Sequence, residues 1–193
     1  MDARARRSRT KLAVAVLELA ERDGIENVSM VAIAQAADVN RSTVYEHASS
    51  PIDLLRTVLR EELDAIRSER LDVEAGDDVG DAVLKTTLDV LRHVDSHATI
   101  YRRGLGGAGS ADLHGMLSVH FRRSVLSLLE SGAVTPPPAP GLDPALRDDA
   151  VARFIADGTV GAIDAWLTTE PPRDVDGFFA LFRTLVPAWW PLT

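Results

Sequence analysis

Seven consecutive residues, Arg41-Ser42-Thr43-Val44-Tyr45-Glu46-His47, carry five hydrogen-bonding side chains of the kind that meet nucleic acid. The planar guanidinium of Arg41 can donate two parallel bonds to the O6 and N7 acceptors of guanine, while Ser42 and Thr43 can bond bases or phosphates. Tyr45 and His47 are long enough to reach phosphate oxygens, which fixes register without reading sequence. Val44 is the apolar member that would seat such a helix on a core. Two other groupings invite comparison with familiar chemistry. Asp89, His93 and His97 recur every four residues on one helix face, a spacing that can chelate a metal. Without a further ligand or a Glu-x-x-His partner the stripe reads as solvated or pocket-lining, and neither a metal nor a cofactor is expected. The run from Gly104 to Gly109 has the composition of a phosphate loop, but that mechanism needs a preceding strand and a following helix N-terminus. Here a helix precedes it, so a hinge is expected. No nucleophile–base pair has a recognisable spacing, and the chain is not expected to be an enzyme.

Arg41–His47 must be positioned by a pair of short helices. Ser29 is suited to cap a helix from Met30 to about Ala37, with Ile33, Ala34 and Ala37 on its inner face. The small residues of Ala36-Ala37-Asp38-Val39 leave room for a tight turn and a close helix crossing. Asn40 can then cap a second helix from Arg41 to about Ala48. Two such helices make a helix-turn-helix, whose second helix enters the major groove with its N-terminal residues facing the bases. Helical corners of this kind also occur in proteins that never touch DNA.

The rest of the chain reads as helix as well, so the fold class is all-α, with about nine helices. Apolar residues recur at helical spacing in 12–20, 54–66, 84–94, 116–129, 151–167 and 178–186, and no period-two stretch argues for a strand. Gly24 ends the first helix. Breaks follow at Ala75–Gly80, at Gly104–Ser110, and at the stiff loop Pro136–Gly141. The expected division is a three-helix DNA-binding domain over 1–50, with a basic N-terminal arm, and a helical ligand-binding and dimerisation domain over 51–193.

With 193 residues the chain can bury a core without staples, and the absence of cysteine excludes disulfides and zinc–thiolate sites. No apolar run approaches the ~20 residues of a membrane span, so a cytoplasmic protein without a membrane partner is expected. The formal charge of −8 argues against nucleic acid only if it is evenly spread. It is not: residues 1–11 hold Arg4, Arg6, Arg7, Arg9 and Lys11 against Asp2, residues 1–50 balance at zero, and residues 51–193 carry all of the excess.

The stretch from Arg9 to Leu59 resembles the DNA-binding domain of the tetracycline-repressor (TetR) family of bacterial regulators. The resemblance is carried by Leu17-Glu18-Leu19, Gly24, Val28-Ser29 leading to Ile33-Ala34, Ala37 with Val39, Thr43-Val44-Tyr45, His47, and Leu54-Leu55 in a fourth helix. It implies a dimeric, ligand-responsive transcription regulator, a repressor, released from a near-palindromic operator in double-stranded DNA by a small-molecule effector. Arg9, Ser29, Arg41, Ser42, Thr43, Tyr45 and His47 are then the DNA-binding candidates. Three departures stand out. Asp38 replaces the family's usual glycine, where positive φ is needed. Ala48 replaces a bulky aromatic. Pro51 replaces a phosphate-binding lysine, although Ser50, Pro51 and Asp53 make a plausible helix start. The basic arm either compensates through phosphate or minor-groove contacts, or is a solubilising tail. These departures also sustain an alternative, an all-helical small-molecule-binding or enzymatic bundle with a decayed helix-turn-helix.

Residues 51–193 resemble the family in architecture only. Seven of the ten aromatics follow position 150, more than one short chain end is expected to bury alone. With the small residues Gly158, Gly161, Ala162 and Ala165 they point to a homodimer built from two helices of each subunit; the competing reading is that the aromatics cap the monomer's own core. Tyr101, Met116, His120, Phe121 and Trp166 combine apolar bulk with polar handles and are the ligand-binding candidates. Each also fits ordinary core.

Overall fold

The described residues of this computed structural model, 3–71, 78–106 and 110–192, form nine α-helices and one 3-10 turn, with no strand among them. They cluster into two compact units, 1–61 and 62–193. Residues 75–77 and 107–109, within two of the expected breaks, lie outside the described residues.

In the first unit, α1 (Ala3–Asp23) buries Leu12, Ala15, Val16, Leu19 and Ala20, the stripe that a 3.6-residue period brings to one side. The helix begins well before that stripe. From Ala3 onward the expected basic arm is instead the first turns of α1. Hydrophobic periodicity is silent there because residues 3–11 lack large apolar side chains, yet Ala, Arg and Lys are strong helix formers. Gly24 ends α1 at φ 81°, where a Cβ would collide with the Glu26 side chain.

The next two helices, α2 (Met30–Ala36) and α3 (Arg41–His47), pack on each other and on α1. Ser29 caps α2, its Oγ accepting the Ala32 N–H at 3.1 Å. Asp38 turns the chain with φ 49°, and the N–H groups of Asp38 and Val39 bond back to the carbonyls of Gln35 and Ala34. Asn40 occupies the N-cap position of α3, but its side chain makes no capping bond; only its carbonyl is used, accepting the Thr43 N–H at 3.0 Å.

The fourth helix, α4 (Pro51–Leu71), begins at a proline whose missing N–H costs nothing at the first helical position. Ser50 Oγ accepts the Asp53 N–H at 3.2 Å, and Asp53 Oδ2 accepts both the N–H and the hydroxyl of Ser49 at 2.9 Å. This is a capping box displaced by one residue. Arg9 pairs with Glu61 and so ties α1 to α4, which helps explain why the units divide between Glu61 and Glu62 where the sequence reading divides the chain at 50/51.

The second unit takes the remainder of α4 with α5 (Val79–Ser96), α6 (Ala98–Leu105), α7 (Ser110–Glu130), α8 (Pro144–Leu167) and α9 (Val175–Leu185). The long helices α7 and α8 pair most extensively; α6 lies against both, and α5 packs on α9. Gly104, read from sequence as part of a hinge, lies inside α6, where an added Cβ would strike Leu113 of α7. Asp78, Asp143 and Asp174 cap α5, α8 and α9 by accepting first-turn N–H groups.

The left-handed backbone at Asp38 generates a stability test. Because Asp tolerates this region and a β-branched residue does not, Asp38→Val is expected to lower stability by about 1–2 kcal/mol, with Asp38→Gly within about 0.5 kcal/mol of wild type. Denaturant unfolding of the full chain measures both.

Candidate functional site

One turn of α3 decides what it presents. Val44 is fully buried and anchors the helix, while Arg41, Ser42, Tyr45 and Glu46 are exposed on the opposite face. Thr43 and His47 are half-buried at its margins. Arg41 and Tyr45, one helical turn apart, are a unit: Arg41 Nη2 donates to the Tyr45 hydroxyl at 3.2 Å, and the guanidinium lies 5.5 Å from the ring centroid. Each therefore restricts the other's rotamers before any partner arrives.

Beside this face is an open polar groove of about 730 Å³. Arg7, Ser8 and Lys11 of α1 line one wall, and Asp38, Asn40, Arg41 and Thr43 line the turn and α3. Three cations thus converge on one concavity, with Lys11 Nζ 3.2 Å from Asp38 Oδ2. Asp53 stays anionic, since the Ser49 N–H and hydroxyl hold its carboxyl below the usual range.

The second unit contains an apolar cavity of about 100 Å³, walled by α4, α5, α7, α8 and α9 with Trp190. Its small hydroxyls are already committed along their own helices: Thr86, Thr87, Ser124 and Thr159 each donate to the carbonyl four residues earlier. Arg67 and His120 are its remaining polar lining groups.

Residues 12–58 match the family model of "Bacterial regulatory proteins, tetR family". That match spans 47 of the 193 residues, so the likeness to this family is carried by the N-terminal stretch. No curated protein sequence matches it. Among solved structures, a TetR-family transcriptional regulator from Streptomyces coelicolor is 22% identical, with a TM-score of 0.59 over 100% of this chain and 88% of that one. Thermus thermophilus FadR, a TetR-family transcriptional repressor solved with lauroyl-CoA, is 17% identical, with a TM-score of 0.62 over 92% of each chain. The dihydroxyacetone kinase operon activator DhaS is 13% identical, with a TM-score of 0.64 over 92% of this chain and 93% of that one. At these identities the likeness is one of fold.

The sequence-derived residues fall into distinct places. Arg41, Ser42 and Tyr45 share the exposed face of α3, and Arg41 and Thr43 also line the groove. Arg9 is occupied by Glu61, and Ser29 by capping α2. The three family departures are absorbed locally: Asp38 adopts positive φ, Ala48 is buried at the end of α3, and Pro51 opens α4. Of the ligand-binding candidates, His120 and Phe121 line the cavity. Tyr101 is buried against His93, Met116 is core, and Trp166 stacks on Phe178 with centroids 4.7 Å apart, so these three lie outside the cavity lining. Arg7 and Lys11 belong to the basic run that the sequence offers for phosphate or minor-groove contacts, whereas nothing in the sequence marks the α5 wall of the cavity.

The imidazoles of the second unit are held in unusual environments. Burial pushes His93 down to about 4 and lowers His120, with neighbouring His97 acting in the same direction on His93. His97 beside Glu62 holds that carboxyl below its usual range. Burial raises the Tyr101 phenol.

A depressed imidazole pKa means that the unfolded chain binds a proton before the folded one does. Stability contributed by neutral His120 is thus present above about pH 6.5 and declines as pH falls below it toward the folded value. The melting temperature is expected to drop between pH 7 and pH 5, and His120→Gln is expected to flatten that slope. Thermal unfolding across this range checks it.

Proposed function

We propose that this chain is a ligand-responsive DNA-binding transcription regulator, acting as a homodimeric repressor that a small molecule releases from a near-palindromic operator. The observation that carries the reading is the groove in which Arg7 and Lys11 of α1 meet Arg41 and Thr43 of α3, beside the exposed face bearing Ser42 and Tyr45. In this reading α3 enters the major groove, Arg41 reads a base edge, and Arg7 and Lys11 neutralise backbone phosphates. Tyr45 holds the guanidinium in a reading position as well as reaching phosphate. Two copies would engage successive major grooves ~34–36 Å apart.

A dimer is supported by what α8 and α9 leave uncovered. Phe154 is 72% exposed, and Gly158, Gly161 and Ala165 follow it on the same face at helical spacing, all exposed. A Cβ at Gly158 or Gly161 would meet nothing. Leu181 and Leu185 of α9 are exposed as well. The other late aromatics do not contribute as expected from sequence: Trp166, Phe179, Phe182 and Trp190 are buried within the monomer, and Phe178 and Trp189 are half-buried. The interface thus depends on small residues, Phe154 and aliphatic side chains, which suits close helix approach across a two-fold axis.

The effector we envisage is a small, mainly apolar molecule with an acceptor group for Arg67 or His120. The cavity's ~100 Å³ is below the ~300–1,000 Å³ of common ligand sites, so binding would widen it and shift the helices around it. Coupling between the cavity and DNA is then reciprocal: effector weakens DNA binding by the factor by which DNA weakens effector binding.

Mobility shifts on DNA from upstream of the chain's own coding region, at several salt concentrations, test the central reading. A discrete, salt-sensitive complex is expected, and no complex, or one indifferent to salt, sinks it. Lys11→Ala should reduce the salt slope by about 1, and Arg41→Ala should cost about 1–3 kcal/mol and relax preference at one base position. Light scattering tests the assembly: a dimer for wild type and a monomer for Phe154→Glu are expected, and a monomeric wild type defeats it.

A further inference from the structure

A carboxylate and two imidazoles converge in the second unit, where α4 faces α5. Glu62 Oε2 lies 3.2 Å from His97 Nε2 and 3.5 Å from His93 Nδ1, and the three atoms all fall within 4.8 Å of one another. His93 lies in the last turn of α5 and His97 is its C-cap residue, with ring centroids 4.9 Å apart. We propose that Glu62, His93 and His97 bind a divalent first-row transition metal ion of the zinc, cobalt or nickel class, with a fourth position open to water or to a donor atom of a ligand.

Three observations carry this. The first is spacing. Metal bonds of ~2.0–2.2 Å in tetrahedral arrangement put neighbouring ligand atoms ~3.3–3.6 Å apart; the Glu62–His93 edge, 3.5 Å, falls in that range and the Glu62–His97 edge, 3.2 Å, lies just below it. Strong N–H···O bonds to a carboxylate are shorter, ~2.7–2.9 Å. The second is an orphaned atom. Glu62 Oε2 is shut off from solvent, and no hydrogen bond of acceptable geometry reaches it although two imidazole nitrogens stand close by. A buried carboxylate oxygen without a donor is costly, and a cation would satisfy it. The third is an outer partner. His93 directs Nδ1 at Glu62 while its Nε2 lies 2.9 Å from the hydroxyl of fully buried Tyr101. That hydroxyl orients the ring, the role an outer partner plays at the second ring nitrogen of a metal-bound histidine.

The donor set selects the ion class. Two imidazoles and one carboxylate are borderline ligands, suited to zinc and its neighbours and not to the all-oxygen shells of calcium or magnesium. Asp89, which the sequence spacing pairs with the histidines, is not among the three; it lies 3.0 Å from Arg92. Glu62 takes its place from a different helix.

The test uses the purified full chain, stripped with chelator and titrated with cobalt(II) chloride and then zinc chloride. One cobalt per chain with visible d–d bands of low coordination number is expected, and zinc should bleach them. Glu62→Gln and His97→Ala should each weaken zinc binding at least tenfold, and Tyr101→Phe by about tenfold through the outer shell. His114→Ala, which removes an exposed imidazole elsewhere, should bind as wild type does. Circular dichroism confirms that each variant is folded; if His97→Ala is not, the partly exposed Glu62→Gln carries the test. Absence of cobalt bands in wild type, or zinc affinity unchanged in folded Glu62→Gln, overturns the site.

Discussion

The first unit hinges on how the chain passes from α2 to α3 in four residues. Asp38 does this by adopting φ 49°, and the backbone bonds of Asp38 and Val39 to Gln35 and Ala34 close the turn. With that geometry set, Val44 falls into the core and Arg41, Ser42 and Tyr45 must point away from it. An L-residue pays for positive φ, but Asp offsets part of that by pairing with Lys11. The same contact draws α1 toward the turn and helps shape the groove that Arg7, Lys11 and Arg41 share. One strained dihedral therefore organises both the scaffold and its chemistry.

The second unit is governed by the disposal of polar groups around apolar helices. Its aspartates cap α5, α8 and α9, and its serine and threonine hydroxyls bond back along their own helices. What faces the cavity is consequently hydrocarbon, with Arg67 and His120 as exceptions. A cavity of this make-up discriminates by shape and by one or two polar contacts. The titratable groups not consumed in this way gather between α4 and α5, where Glu62, His93 and His97 face one another.

What could be read from the sequence followed the range of the interactions involved. Ser29, the Asp38 turn, Val44 and the Ser50–Asp53 helix start lie within a few residues of their partners, so spacing alone was enough to foresee them. The start of α1 was missed because the reading relied on apolar periodicity, which Arg6–Lys11 do not supply, though their helix propensity was available. The cavity joins five helices spread over more than a hundred residues; His120 and Phe121 are legible by type, but Thr86, Ile163 and Trp190 are brought to it only by packing. The third member of the histidine cluster was illegible for the same reason. Glu62 precedes His93 by about thirty residues, and helix spacing suggested Asp89 in its stead. The late aromatics mislead in the other direction: composition suggested a shared surface, whereas most of them fill the monomer's own core.

The balance of charge bears on the proposed DNA contact in a specific way. The head of the chain is basic, yet Arg9 and Lys11 already face Glu61 and Asp38. Both pairs are substantially exposed, and exposed ion pairs are worth little, about 0–1 kcal/mol each. Exchanging Asp38 for a phosphate oxygen would therefore forfeit little, while the release of counterions from DNA would favour the exchange at low salt. In the free protein these acids mask the cations from nonspecific polyanions. A binder built this way is weakly attracted by charge alone and depends on Arg41, Ser42 and Tyr45 meeting a matching groove, so its selectivity would derive from contacts that form only at the right register.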